Sequence, residues 1–180
     1  MCSMVRRPPG IELALLGFLL QGPQHGYQLH QIISDLSGLG LIWRLKQSQL
    51  YALLNKLETD GFVISTIKNQ DPHPPRRIFE LTESGRRIFF AWLADPVTAP
   101  RLVRQDFFAK LYFAARENKD TARRLIELQR IVCQSWIDRF NEKLAVSEQA
   151  SYSWTMYQYR LGQVKALQSW LDAYEKTLST

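Results

Sequence analysis

The 180-residue chain predicts a mainly α-helical protein with a single β-hairpin set inside it, and three observations say so. Apolar residues recur at helical spacing along most of the length. One stretch, residues 62–81, changes to β-branched and aromatic residues interrupted by prolines. Beyond Pro100 strand signals cease, and Gly162 is the only glycine left.

The first helix is the segment Gly10 to Gln21, apolar almost all round through Ile11, Leu13, Leu15, Leu16, Phe18, Leu19 and Leu20. Such a helix must be buried. Gly22-Pro23-Gln24-His25-Gly26 reads as a turn. From Tyr27 to Ser37, Leu29, Ile32, Ile33 and Leu36 share one helix face, and Ser37-Gly38-Leu39-Gly40 breaks it. Leu50, Leu53, Leu54 and Leu57 repeat the spacing in a helix from about Gln47 to Asp60, with Gly61 at the expected capping position.

Phe62 to Lys68 then reads as a strand, and Arg76 to Leu81 as its partner. Asn69 to Pro75 between them holds Pro72, Pro74 and Pro75 and is expected to be a loop, since proline gives a ladder no donor. Thr82 is placed to cap the next helix, which carries Ile88, Phe89, Trp92 and Leu93. Three helices followed by a hairpin make a winged helix-turn-helix, assigned to residues 1–94. Asp95 to Pro100, with two prolines, marks a boundary. Residues 101–180 are expected to be an all-helical dimerisation domain, with helices at Gln105 to Arg116, Thr121 to about Val146, and from about Ser153 onward. Its two long amphipathic helices offer more apolar face than so small a unit buries alone, and association is the simplest sink for the surplus.

Composition narrows the function classes. The 23 basic and 17 acidic residues give a net charge of +6, which suits a polyanionic partner without naming one. Residues 1–100 carry 10 basic and 8 acidic groups, residues 101–180 carry 13 and 9, so the winged half is not the more basic. A nucleic-acid reading therefore rests on where charges sit. Two cysteines, Cys2 and Cys133, form neither a disulfide framework nor a zinc set and fit a reducing cytoplasm. The apolar run Ile11 to Leu20 contains Glu12 and stops well short of a membrane span, so no membrane partner is expected.

The leucine face of the 47–60 helix points inward, which puts Ser48, Ala52, Asn55 and Thr59 on the opposite side, flanked by Gln47, Tyr51 and Lys56. Gln47 and Asn55 are amides able to pair with adenine edges, Ser48 can meet bases or phosphates, and Tyr51 and Lys56 reach the backbone. Ala52 permits close approach to a thymine methyl. No acid occurs from Gln47 until Glu58, unlike the Glu/Lys pairing of an ordinary surface helix. On the hairpin, Lys68, His73, Arg76 and Arg77 are positioned for phosphate or a minor groove.

Catalysis finds no support. His25, His30 and His73 include no i, i+4 pair, and neither a Gly-x-Ser-x-Gly elbow, a phosphate loop nor a dinucleotide motif occurs. No cofactor or metal is expected. Trp136, Phe140, Trp154, Tyr157 and Trp170 suit a helical core, with a small-molecule pocket as the alternative.

Several blocks, in order, resemble the PadR-type transcriptional regulators. Ala14-Leu15-Leu16-Gly17 and Gly22-Pro23-Gln24-His25-Gly26-Tyr27-Gln28-Leu29 are similar to their opening. Leu50 to Val63 resembles their recognition helix and first strand, and Arg76 to Arg86 their second wing strand and following helix. Asp106 to Phe113 and Tyr159-Arg160-Leu161-Gly162 leading to Trp170-Leu171 resemble the larger C-terminal domain of the branch related to virulence activators. The pair Ile78-Phe79 and the proline-dense hairpin tip depart from the family's wing pattern. The resemblance implies a homodimer on a pseudo-palindromic operator in double-stranded DNA, with Tyr51 and its neighbours at the duplex. It also implies response to a small aromatic or cationic effector, whose binding residues the sequence does not identify. Competing readings are a winged-helix protein–protein interaction module and a small-aromatic-ligand sensor with weak DNA affinity.

Overall fold

The computed structural model describes residues 10–70 and 73–178. Cys2, Asp71 and Pro72 lie outside the described residues. The chain divides into two compact units: Met1–Ala94 with Arg104–Phe113, and Asp95–Val103 with Ala114–Thr180. The mainly helical fold with a winged helix-turn-helix is borne out.

In the first unit, α1 (Gly10–Phe18) continues as a 3-10 turn (Leu19–Gln21). β1 (Gln24–His25), α2 (Gly26–Ser34), a 3-10 turn (Leu39–Leu41) and α3 (Gln47–Thr59) follow. β2 (Val63–Gln70) and β3 (His73–Leu81) form the wing, and α4 (Glu83–Ala94) closes the motif. Of the apolar residues read for α1 and its 3-10 turn, Ile11, Phe18 and Leu20 are partly buried, Leu19 is buried, and Leu13, Leu15 and Leu16 are fully inside. They meet Leu29 and Ile33 of α2 and Leu50, Leu54 and Leu57 of α3 in the core. Burial of this kind is the main stabilising term, about 1.5–3 kcal/mol for each large side chain.

Local chemistry sets the ends of α3. Its N-cap amide, Lys46 N–H, donates to Gln49 Oε1 at 3.0 Å, so a side chain satisfies a group the helix leaves unpaired. At the other end Gly61 has φ +75°, and the amides of Gly61 and Phe62 donate to the carbonyls of Glu58 (3.0 Å) and Leu57 (2.9 Å). That is a Schellman stop, which favours glycine because the left-handed turn crowds a Cβ. Thr82 caps α4 as expected, its Oγ1 accepting from Gly85 N–H at 3.0 Å.

Two details of the sheet differ from the sequence reading. Gln24-His25 is not only a turn: it pairs antiparallel with Phe79 and Ile78, giving the order β1-β3-β2. The wing strands also run further than expected, to Gln70 and back from His73, so Pro74 and Pro75 lie within β3. The geometry accommodates them. β1 covers β3 only at Ile78 and Phe79, leaving the outer edge open at the prolines, and the β2–β3 register shifts between Lys68 and Gln70. A donor is missing only where the ladder is already interrupted.

A π turn (Val103–Phe107) leads into α5 (Phe108–Glu117), where the sequence suggested one helix from Gln105. Phe113 of α5 packs edge-on against Phe18 at 5.2 Å and Phe89 at 5.3 Å between ring centres.

The second unit contains a 3-10 turn (Pro100–Leu102), α6 (Lys119–Ala145) and α7 (Tyr152–Leu178). The two long helices are antiparallel: Arg123 donates to the Leu178 carbonyl at 3.0 Å, Arg130 pairs with Glu175 at 2.5 Å, and Phe140 meets Tyr157. Asn118 caps α6 by accepting from Thr121 N–H at 2.8 Å. Leu161, Val164 and Leu171 are the buried stripe of α7, at the helical spacing read from sequence. Trp136 and Phe140 are core residues, whereas Trp154 and Tyr157 are half-buried and Trp170 is exposed and stacked on Tyr174. Burial pushes the Cys133 thiol up to about 11, which leaves it an inert packing residue at neutral pH. No helix among the described residues is long and apolar enough to cross a membrane.

Candidate nucleic-acid interface

The outer face of α3 is exposed. Gln47, Ser48, Ala52, Asn55 and Thr59 are exposed, while Leu50, Leu54 and Leu57 hold the opposite face in the core. The helix therefore offers a polar ridge whose middle residue, Ala52, adds little bulk. Thr59 Oγ1 donates back to the Asn55 carbonyl at 3.0 Å and belongs to the helix more than to the ridge.

Tyr51 is half-buried on the flank of that ridge. Its ring lies against the first turn of α2, where a Cβ on Gly26 would come within 2.7 Å of it. A side chain at position 26 would push the Tyr51 ring aside. Tyr51, His25, Tyr27 and Gln28 of the α2 entry, and Arg76 and Arg77 of the wing, line an open cleft of about 560 Å³. His25 N–H donates to Gln28 Oε1 at 3.2 Å, while its ring Nδ1 is buried with no hydrogen-bond partner among the described residues. The α2 entry was absent from the sequence-derived set. Its signal was the Gly26-Tyr27 pair, a close-approach residue beside a polar aromatic, in a segment read as a turn.

The basic residues divide into free and engaged. Lys68 and Arg76 are exposed and directly paired in the β2–β3 register. Like charges opposite one another repel, so this pairing is a standing local cost in the free protein. Arg77 is engaged. It forms an ion pair with Glu58, donates from Nε to Ser65 Oγ at 2.8 Å and from Nη1 to Asn55 Oδ1 at 2.5 Å, and lies 4.8 Å above the Phe79 ring. Lys56 is engaged too, its Nζ 2.7 Å from both carboxylate oxygens of buried Glu12 on α1. The structure thus brings Gln47, Ser48, Ala52 and Asn55 onto one surface and places Lys68 and Arg76 on the wing. Lys56 is half-exposed and held by Glu12, and Arg77 links wing to helix. His73 has a described backbone only.

His30 serves structure, its Nε2–H donating to the Leu45 carbonyl at 2.8 Å. No cluster of three potential metal ligands occurs among the described residues.

The sequence is similar to those of known regulators. Residues 15–90 match the transcriptional regulator PadR-like family. The chain is 26% identical to the negative transcriptional regulator PadR of Bacillus subtilis (strain 168) over 173 residues, covering 91% of this chain and 94% of that protein. It is also 26% identical over 88 residues to a probable transcriptional regulator of Mycobacterium tuberculosis (strain ATCC 25618 / H37Rv), covering 49% of this chain and 46% of that one. Among solved structures, Bacillus subtilis PadR in complex with operator DNA is 26% identical, with 93% of this chain and 98% of that chain covered and a TM-score of 0.47. Residues 15–90 thus form a domain of the transcriptional regulator PadR-like type.

Proposed function

We propose that the chain regulates transcription as a homodimer that binds a pseudo-palindromic operator in double-stranded DNA, with α3 in the major groove and the wing on the phosphate backbone. One observation carries this reading: the outer face of α3 is exposed, polar and free of unpaired acid, because Glu58 is neutralised by Arg77. Gln47, Ser48, Ala52 and Asn55 are the base-facing residues, with Tyr51, Lys68 and Arg76 at phosphates. The helical second unit supplies the dimer contact, which accounts for Ile131, Tyr152, Tyr159 and Trp170 remaining exposed on one protomer. Two-fold symmetry then sets half-sites one helical turn apart or a multiple of it. The half-buried Trp154 and Tyr157 of α7 are the aromatic surface available to a small-molecule effector. A protein-docking role for α3 is disfavoured, since its outward face lacks the aromatic anchors such an interface needs.

The test is a gel-shift titration on DNA flanking the protein's own gene, at physiological salt and with excess unrelated duplex. The reading expects a shift that survives competitor, and a solution mass twice the 21.0 kDa of one chain. A shift abolished by competitor, or a strictly monomeric protein, contradicts it.

A further inference from the structure

Asn55 is an exposed amide on the α3 ridge, and its orientation is set by the protein. Its Oδ1 accepts from Arg77 Nη1 at 2.5 Å. A guanidinium has donors only, so the carboxamide atom facing it is the oxygen. The Nδ2 end is consequently the one left for a partner, and it has no acceptor among the described residues.

Arg77 is itself held in place. Glu58 takes Nη2, Ser65 takes Nε at 2.8 Å, and Ser65 Oγ in turn donates to Glu58 Oε1 at 2.6 Å. The Phe79 ring lies beneath the guanidinium. With Nε, Nη1 and Nη2 all committed, the planar fork is locked before any duplex arrives.

We propose that Arg77 sets the base preference of Asn55. With Oδ1 held against the wing, Asn55 offers the groove the two N–H donors of Nδ2 and selects guanine, whose N7 and O6 both accept. An unrestrained asparagine selects adenine instead, giving Nδ2 to N7 and taking the N6 amino group on Oδ1. In this protein that oxygen is already spent on Arg77, and the adenine amino group meets no free partner. Arg77 is thus a positioning residue that works through Asn55, and Glu58 and Ser65 work through Arg77. The inference rests on the major-groove placement of α3 proposed above.

The experiment is selection of bound duplexes from a randomised pool by the full chain and three variants. Asn55→Ala identifies the position that Asn55 reads, as the one whose preference disappears. At that position the wild-type protein is expected to favour guanine over adenine by about tenfold or more. Arg77→Ala frees Oδ1 and brings adenine to at least parity, whereas a merely structural tie between wing and helix would weaken all sequences alike. Glu58→Gln, which loosens the guanidinium while keeping a neutral acceptor, moves the ratio the same way by a smaller factor. Adenine in the wild-type motif overturns the inference. So does an Arg77→Ala motif unchanged in base preference, or a motif with no Asn55-dependent position, and each leaves the regulator reading intact. Absence of any wild-type motif removes both. If Arg77→Ala does not fold, the wild-type and Glu58→Gln ratios decide.

Discussion

Lys68 and Arg76 stand directly opposite each other across the two wing strands, both exposed and both cationic. A folded protein gains nothing from this arrangement by itself, and a bound phosphate relieves it. Each phosphate contact releases counterions and contributes about 0.9 to the slope of log affinity against log salt. Replacing both by alanine is expected to lower that slope by about 2. Arg77→Ala, whose charge is already spent on Glu58, is expected to lower it by less than about 1. Gel shifts across a salt series check this, and an unchanged slope in the double variant removes the wing from the backbone.

Lys56 points the other way. Its ammonium reaches Glu12, which is only 3% exposed on α1, so the pair ties the reading helix to the core. Lys56→Met strands a buried carboxylate. Loss of one partner of a fully buried pair costs about 3–5 kcal/mol, and the half-exposed lysine lowers this to about 1–2 kcal/mol here. Urea melts should show that loss, with DNA affinity of the folded fraction little changed. Full stability together with lost DNA binding would instead make Lys56 a duplex contact.

In the second unit, buried Gln129 clamps Val97 on both sides, accepting from its N–H at 2.8 Å and donating to its carbonyl at 3.1 Å. An irregular segment inside a protein must have its backbone groups paired. Gln129→Leu leaves both unpaired and should cost about 2–4 kcal/mol in a urea melt. A variant as stable as the wild type would show that the segment finds other partners.

How much of this the sequence disclosed depends on how local each cause is. The leucines of α3, the Gly61 stop and the Thr82 cap act within a turn or two of chain, and their spacing displayed them. The two-residue strand Gln24-His25 has no period of its own and exists only because Ile78 and Phe79 come alongside. Pro74 and Pro75 looked incompatible with a strand because a one-dimensional reading cannot see that β1 stops short of them. Charge roles were the least legible. The sequence places Lys56 at the DNA backbone and Arg77 at phosphate or a minor groove, and it does not display their ion-pair partners Glu12 and Glu58, which lie 44 and 19 residues away in the chain. The outer-face residues of α3 were recognisable because helical geometry alone decides which side the leucines leave open.

The most direct test places a charge in the middle of that open side. Ala52→Glu exchanges two good helix formers at an exposed site, so the thermal midpoint and the oligomeric state should not move. A carboxylate aimed at base edges and phosphates should weaken operator binding by about 100-fold or more. Operator affinity equal to that of the wild-type protein would contradict the account.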